Sequence, residues 1–169
     1  ILLDALDYAI KNSCKLIVTV DCGITAAKEI AKVAEKNVDV IVTDHHEPTA
    51  KIPHCLATLN PKVFDSVYPN REITGVGVAF KLAHALTSYL VEHGYDKAET
   101  IDLKSYLDLV ALGTIADMGS LLGENRILVR YGLKQLDKTQ RVGLVKLLEI
   151  CELNIHELSL RYLCKFQKQ

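Results

Sequence analysis

The sequence predicts an α/β fold: a parallel sheet flanked by helices, followed by a mainly helical C-terminal part. Three observations carry this reading. Two β-branched runs, "KLIVTV" (15–20) and "VDVIVT" (38–43), are separated by one segment of helical period. Strand, helix and strand within about 30 residues make a βαβ unit, whose strands run parallel. Beyond residue 60 the apolar periodicity is almost entirely helical.

The elements follow in order. Leu2, Leu3, Leu6 and Ile10 recur at helical spacing, which predicts an amphipathic helix over residues 1–12. "KLIVTV" ends at Asp21-Cys22-Gly23 and reads as a buried strand followed by a turn. Thr25 is placed to cap the next helix, which reads to Asn37. "VDVIVT" is the second strand, and "CLATLNP" (55–61) a weaker third, stopped by Pro61. Residues 62–73 read as loop, and 74–94 as a long helix stopped by Gly94. The stretch 105–117 begins helical and is expected to break near Gly113. Residues 123–138 and 142–152 are further helices, and 154–169 carry mixed signals.

Composition narrows the class. The 169 residues include 49% apolar and 24% charged side chains, as in an ordinary globular protein. No apolar run approaches the roughly 20 residues of a membrane span. A net charge of −1 argues against coating nucleic acid through bulk positive charge, though a local basic groove is compatible with it. Five cysteines without a CxxC spacing read as reduced thiols in an intracellular, cytoplasmic protein. The chain opens in mid-helix on Ile1 and stops without a turn signal, which suggests a fragment of a larger protein.

The chemistry gathers at the strand ends. Ligands of open parallel sheets bind at the carboxyl edge. A right-handed crossover puts both strand tips on that edge. Asp21 therefore stands beside Asp44, His45 and His46. Carboxylate oxygen with imidazole nitrogen is a ligand set for Mn²⁺, Zn²⁺ or Fe²⁺, with Mg²⁺ at oxygen-rich positions. Successive residues at a strand end point different ways, so one His can bind metal while the other meets substrate. Asp44 is placed to hold a ligating His in one tautomer. The competing reading is a turn with a capping Asp and two surface imidazoles. A third acid is offered by Asp117 in "ALGTIADMGS", although a loop aspartate is more often a cap.

Other features read as structural. Cys22 is expected to point away from Asp21 as a small buried hydrophobe. His54, Cys55, His84, His93 and His156 lack ligand spacing. "GVG" (75–77) follows no strand in the register of a dinucleotide fingerprint, so its glycines read as close packing at a helix start, with a phosphate contact as the lesser reading. Arg126 and Arg130 share a helix face, where a solvated face or an ion pair with Glu124 is expected ahead of a nucleic-acid contact.

"TVDCGIT", "VIVTDHHEP", "GVGVAFKLAHAL" and "LVALGTIADMGSLLGENRILVRYGLKQL" together resemble the DHH phosphoesterase superfamily, nearest its RecJ branch of single-strand-specific DNA exonucleases. The resemblance runs from about Lys15 to Leu148. It implies that Asp21 bridges two metal ions, that His45 and Asp117 are further metal ligands, that His46 contacts the scissile phosphate, and that Asp44 supports the pair. Those five residues are the candidate catalytic set. The implied reaction is Mn²⁺- or Mg²⁺-dependent phosphodiester hydrolysis from the 5′ end of single-stranded DNA, with DNA repair or replication proteins as partners and no membrane association. Residues 1–169 are then a partial DHH domain, with a βαβ portion (1–60) and a mostly helical portion (61–169). The family's first motif, an Asp-x-Asp strand end, and its second, substrate-clamping domain have no counterpart here. A chain lacking those ligands is expected to be weakly active or inactive. The alternatives are a relative acting on oligoribonucleotides or cyclic dinucleotides, and a non-catalytic α/β module.

Overall fold

The computed structural model of the chain describes residues 2–152, with side chains from residue 7 onward. The segment expected to carry mixed signals, together with His156 and Cys164, lies outside the described residues. The chain forms two compact units, residues 1–79 and 80–169.

The first unit is the α/β part. Helix α1 (Leu2–Lys11) leads into strand β1 (Leu16–Val20), helix α2 (Ala27–Ala34), strand β2 (Asp39–Thr43) and the three-residue strand β3 (Ala57–Leu59). The strands form a parallel sheet in the order β1-β2-β3. Leu16 to Val20 pair in register with Asp39 to Thr43, and Ile41 to Thr43 with Ala57 to Leu59. The register decides where function can sit, because β1 and β2 end level with one another at Val20 and Thr43.

The core of this unit lies between α2 and β2. Ile30 and Val33 of α2 pack on Val38, Val40 and Val42, with Ile10 and Ile17 against the cluster. Val42 is fully enclosed, and burying such a side chain is worth about 1.5–3 kcal/mol.

Three expectations need correction here. β1 is not a buried strand: Leu16, Val18 and Val20 are each about half exposed. Among the described residues it is an edge strand, paired on one side with β2. Thr25 does not cap α2, whose N-cap is Ala26 with no side-chain cap bond. The turn that holds Ala26 N–H on the Gly23 carbonyl, at 2.9 Å, moves the helix start beyond Thr25. Cys22 is exposed rather than buried.

Helix α3 (Gly75–Glu92) opens in the first unit and continues into the second. The second unit then holds a short helix α4 (Asp96–Glu99), a 3-10 turn at Leu103–Tyr106, and helices α5 (Leu107–Ala116), α6 (Gly123–Leu136) and α7 (Val142–Ile150). Its core is Val129, Leu133 and Leu136 of α6 with Leu144 of α7, and Leu112 and Ile115 of α5 against them. α5 and α6 approach closely at Gly132, where a Cβ would lie 2.2 Å from the Leu107 carbonyl oxygen.

The break expected near Gly113 does not occur. α5 runs through it, and the Gly113 carbonyl accepts the Asp117 N–H at 3.0 Å. A mid-helix glycine costs about 1 kcal/mol, which packing on α6 readily offsets. Glu124 pairs with Lys81 at 2.9 Å, a partner that helix-face spacing did not suggest.

Candidate metal centre

Asp21 is the first residue beyond β1, and its N–H still bonds the Thr43 carbonyl of β2 at 2.9 Å. That bond pins the strand tip. The residue itself turns sharply, with φ at +61°, a left-handed conformation that costs a non-glycine residue free energy. The turn sends the half-exposed carboxylate towards the neighbouring tip.

Asp44 is the first residue beyond β2, and its N–H bonds the Leu59 carbonyl of β3 at 3.0 Å. Its side chain is buried, 2% exposed, and both carboxylate oxygens accept hydrogen bonds. Oδ2 accepts the Ile24 N–H at 2.9 Å; Oδ1 accepts the N–H groups of His45 at 2.7 Å and His46 at 3.2 Å. Oδ1 also lies 2.7 Å from His46 Nδ1. Burial pushes the Asp44 carboxyl upward. The bonds from Ile24 N–H, the His46 ring and the two histidine N–H groups outweigh it and hold the pKa below its ordinary value. Asp44 is thus an ionised tie between the β1 turn, through Ile24, and the histidine pair.

The two imidazoles divide as strand-end geometry requires. His45 is mostly enclosed, and its Nε2 lies 3.1 Å from Asp21 Oδ1. His46 is more than half exposed. Because an ionised carboxylate only accepts, the His46 Nδ1 beside Asp44 carries a proton and Nε2 is the ring nitrogen left to meet other groups. The rings sit 4.5 Å apart at 56°. One donor atom from each of Asp21, His45 and His46 lies within 4.8 Å of the other two.

This set fits a divalent cation. Two ligands about 2.1 Å from one ion, at right angles, stand about 3.0 Å apart. The His45 Nε2 to Asp21 Oδ1 spacing of 3.1 Å has that value. Mixed oxygen and nitrogen donors suit Mn²⁺ and its neighbours in the first transition row.

Chain-remote residues brace the site. Asn60, just past β3, donates its amide to the His46 carbonyl at 2.9 Å and accepts the Lys62 N–H at 2.8 Å. Lys62 pairs with Glu47 at 3.1 Å. Gly75, at the start of α3, lies against the Asp21 carboxylate. Sequence reasoning passed over Asn60, though its place at the tip of the third parallel strand was the available signal. Asp117 stands in the second unit as the exposed C-cap of α5.

Residues 2–114 match the DHH family, N-terminal domain. The chain belongs to the DHH family. Among curated relatives, the DHH chain is 44% identical over 135 residues to the single-stranded-DNA-specific exonuclease RecJ of Bacillus subtilis, covering 80% of itself and 16% of that protein. It is 37% identical over 160 residues to RecJ of Escherichia coli, covering 92% and 28%. Its fold resembles crystal structures of RecJ in complex with Mn²⁺ from Thermus thermophilus (TM-score 0.75, 35% identity, 90% of this chain and 22% of that one). A second is an exonuclease RecJ bound to manganese (TM-score 0.74, 34% identity, 96% and 40%). The chain thus spans well under a third of the length of these curated relatives. Among the described residues, no helix is long and apolar enough to cross a membrane.

Proposed function

We propose that this segment carries the catalytic centre of a cytoplasmic, Mn²⁺- or Mg²⁺-dependent phosphodiesterase that removes nucleotides from the 5′ end of single-stranded DNA. The observation that carries the reading is the convergence of Asp21, His45 and His46 at two level strand tips, ordered by a buried, ionised Asp44. The manganese-bound structures of similar chains support the metal, and the relatives' printed activity supports the substrate. Because the chain spans 16% of one relative and 28% of another, the activity is proposed for the whole protein that carries this segment.

Each residue has a distinct task in this reading. Asp21 and His45 would hold the metal, and Asp117 is proposed as a further ligand. A divalent cation bound by these residues would supply Lewis acidity towards phosphoryl oxygens and water. His46 would offer its Nε2 to a phosphate oxygen, while Asp44 holds that ring through Nδ1. Asp44 also holds the His45 and His46 main chain, so both imidazoles keep their directions without reorganising when substrate arrives.

The test is release of labelled mononucleotide from 5′-phosphorylated single strands by the whole protein in Mn²⁺. Asp21→Ala, His45→Ala and His46→Ala should each lower the rate by about a hundredfold or more. Full activity of His45→Ala would reject the metal assignment. Faster cleavage of dinucleotides or cyclic dinucleotides than of single-stranded DNA would replace the substrate.

A further inference from the structure

We propose that Gly75 is a positioning residue for Asp21: the missing side chain at the start of α3 reserves the space in which the Asp21 carboxylate points at His45. A Cβ built on Gly75 would lie 2.0 Å from Asp21 Oδ1, 2.5 Å from its Cγ and 2.9 Å from its Cβ. The first two contacts involve the movable end of a side chain. The third does not, because Cβ is fixed by the Asp21 backbone, which is held at φ +61° and bonded to Thr43. Rotating the carboxylate alone therefore cannot make room for a larger residue 75. The carboxylate must swing out of its place beside His45, and the β1 tip or the first turn of α3 must in addition give by a few tenths of an ångström, since Cβ contacts below about 3 Å do not persist in close-packed protein.

The same oxygen, Oδ1, faces both Gly75 and His45 Nε2, the latter at 3.1 Å. A displacement at residue 75 is thus passed directly to the Asp21–His45 pair. The neighbouring Gly77 supplies an internal contrast. Its Cβ would meet Ile73, at 2.6 Å from Cγ1 and 3.1 Å from Cδ1, an apolar contact away from the candidate ligands. Gly77 serves packing, and Gly75 serves the site. The anionic carboxylate also lies against the first turn of α3, where main-chain N–H groups favour negative charge.

What the carboxylate is positioned for rests on the metal reading above, but its placement does not, so two readouts are used on the chain. The first needs no metal: the His45 imidazole resonances, assigned by loss in His45→Gln, at fixed pH. Gly75→Ala should shift them as Asp21→Ala does, and Gly77→Ala should leave them in place. The second is Mn²⁺ affinity by calorimetry. Gly75→Ala should weaken it about tenfold or more. Gly75→Ala combined with Asp21→Ala should bind no worse than Asp21→Ala alone, because interacting sites are non-additive. Unshifted His45 resonances, or an undiminished effect of Gly75→Ala in the Asp21→Ala background, would overturn the proposal. Should Gly75→Ala fail to fold, the double variant should melt higher than the single one, since the two shortest contacts are gone; no recovery would likewise overturn it. A wild-type chain that ignores Mn²⁺ would reject the metal reading, while the His45 resonances still decide the role of Gly75.

Discussion

Nδ1 of His46 lies 2.7 Å from Oδ1 of Asp44, and the same carboxylate takes the Ile24 N–H at 2.9 Å on its other oxygen. A single buried side chain therefore joins the turn after β1 to the histidines after β2. This is more than support for one ring. It couples the direction of Asp21, which precedes Ile24 by three residues, to the direction of His45 and His46.

Asp44→Asn tests that coupling. An amide oxygen can replace one acceptor, but the NH₂ on the other side faces donors and leaves buried N–H groups unsatisfied. The expected loss is about 1–3 kcal/mol of stability by urea unfolding. Activity of the whole protein should fall further than this stability loss explains, by about 10- to 100-fold. A variant with unchanged activity would mean that the histidines keep their directions without the carboxylate.

Acid should undo the same tie. The Asp44 pKa is lower in the folded chain than its ordinary 3.8, so its contribution to stability is complete above that value. It is lost as pH falls through the folded value. Urea midpoints followed from pH 6 towards pH 2 should decline below about pH 4. The decline should be shallower in Asp44→Asn, which has no proton to take up at this position. Parallel acid limbs in the two proteins would contradict this assignment.

Metal addition should stabilise the first unit in proportion to occupancy. A ligand at a hundred times its dissociation constant adds about 2.7 kcal/mol to folding free energy. Mn²⁺ should therefore raise the melting temperature, and a chelator should reverse the rise. His45→Ala should abolish most of it, because Nε2 is half of the close Asp21–His45 pair. An equal rise in wild type and His45→Ala would place the ion elsewhere.

Much of this site was legible in sequence because parallel α/β topology converts chain position into spatial position. Two β-branched runs one helix apart suffice to bring Asp21 beside Asp44, His45 and His46, whatever the side chains do in detail. The details depended on contacts that sequence spacing does not encode. That Asp44 grips His46 by its ring and His45 by its main chain follows from how the chain leaves β2. Asn60 and Gly75 act on the site from 14 and 54 residues away along the chain, counted from His46 and Asp21 respectively. β1 was harder still. Its apolar run reads like a buried strand, yet burial depends on what lies beside it, and Leu16, Val18 and Val20 are half exposed. In α5, local propensity predicted a break at Gly113 where tertiary packing carries the helix through.

The second unit offers a separate prediction at Asp108. Its carboxylate is 1% exposed and takes Arg141 Nε at 3.1 Å, Thr139 Oγ1 at 2.8 Å and the Leu109 N–H at 2.7 Å. Arg141 is the more exposed partner; its guanidinium also reaches the Ser105 carbonyl at 3.2 Å and lies over the Tyr106 ring. The two sides of this pair are therefore unequal. Removing Arg141 leaves a buried charge short of its partner, a change that costs about 3–5 kcal/mol where burial is complete. Removing the Asp108 charge leaves a guanidinium that water can reach, at smaller cost. Arg141→Met should thus lower the urea midpoint more than Asp108→Asn does. The double variant should fall short of the sum of the two, because the residues share one interaction. The reverse order would show that the arginine's packing on Tyr106, rather than its charge, is what the second unit depends on.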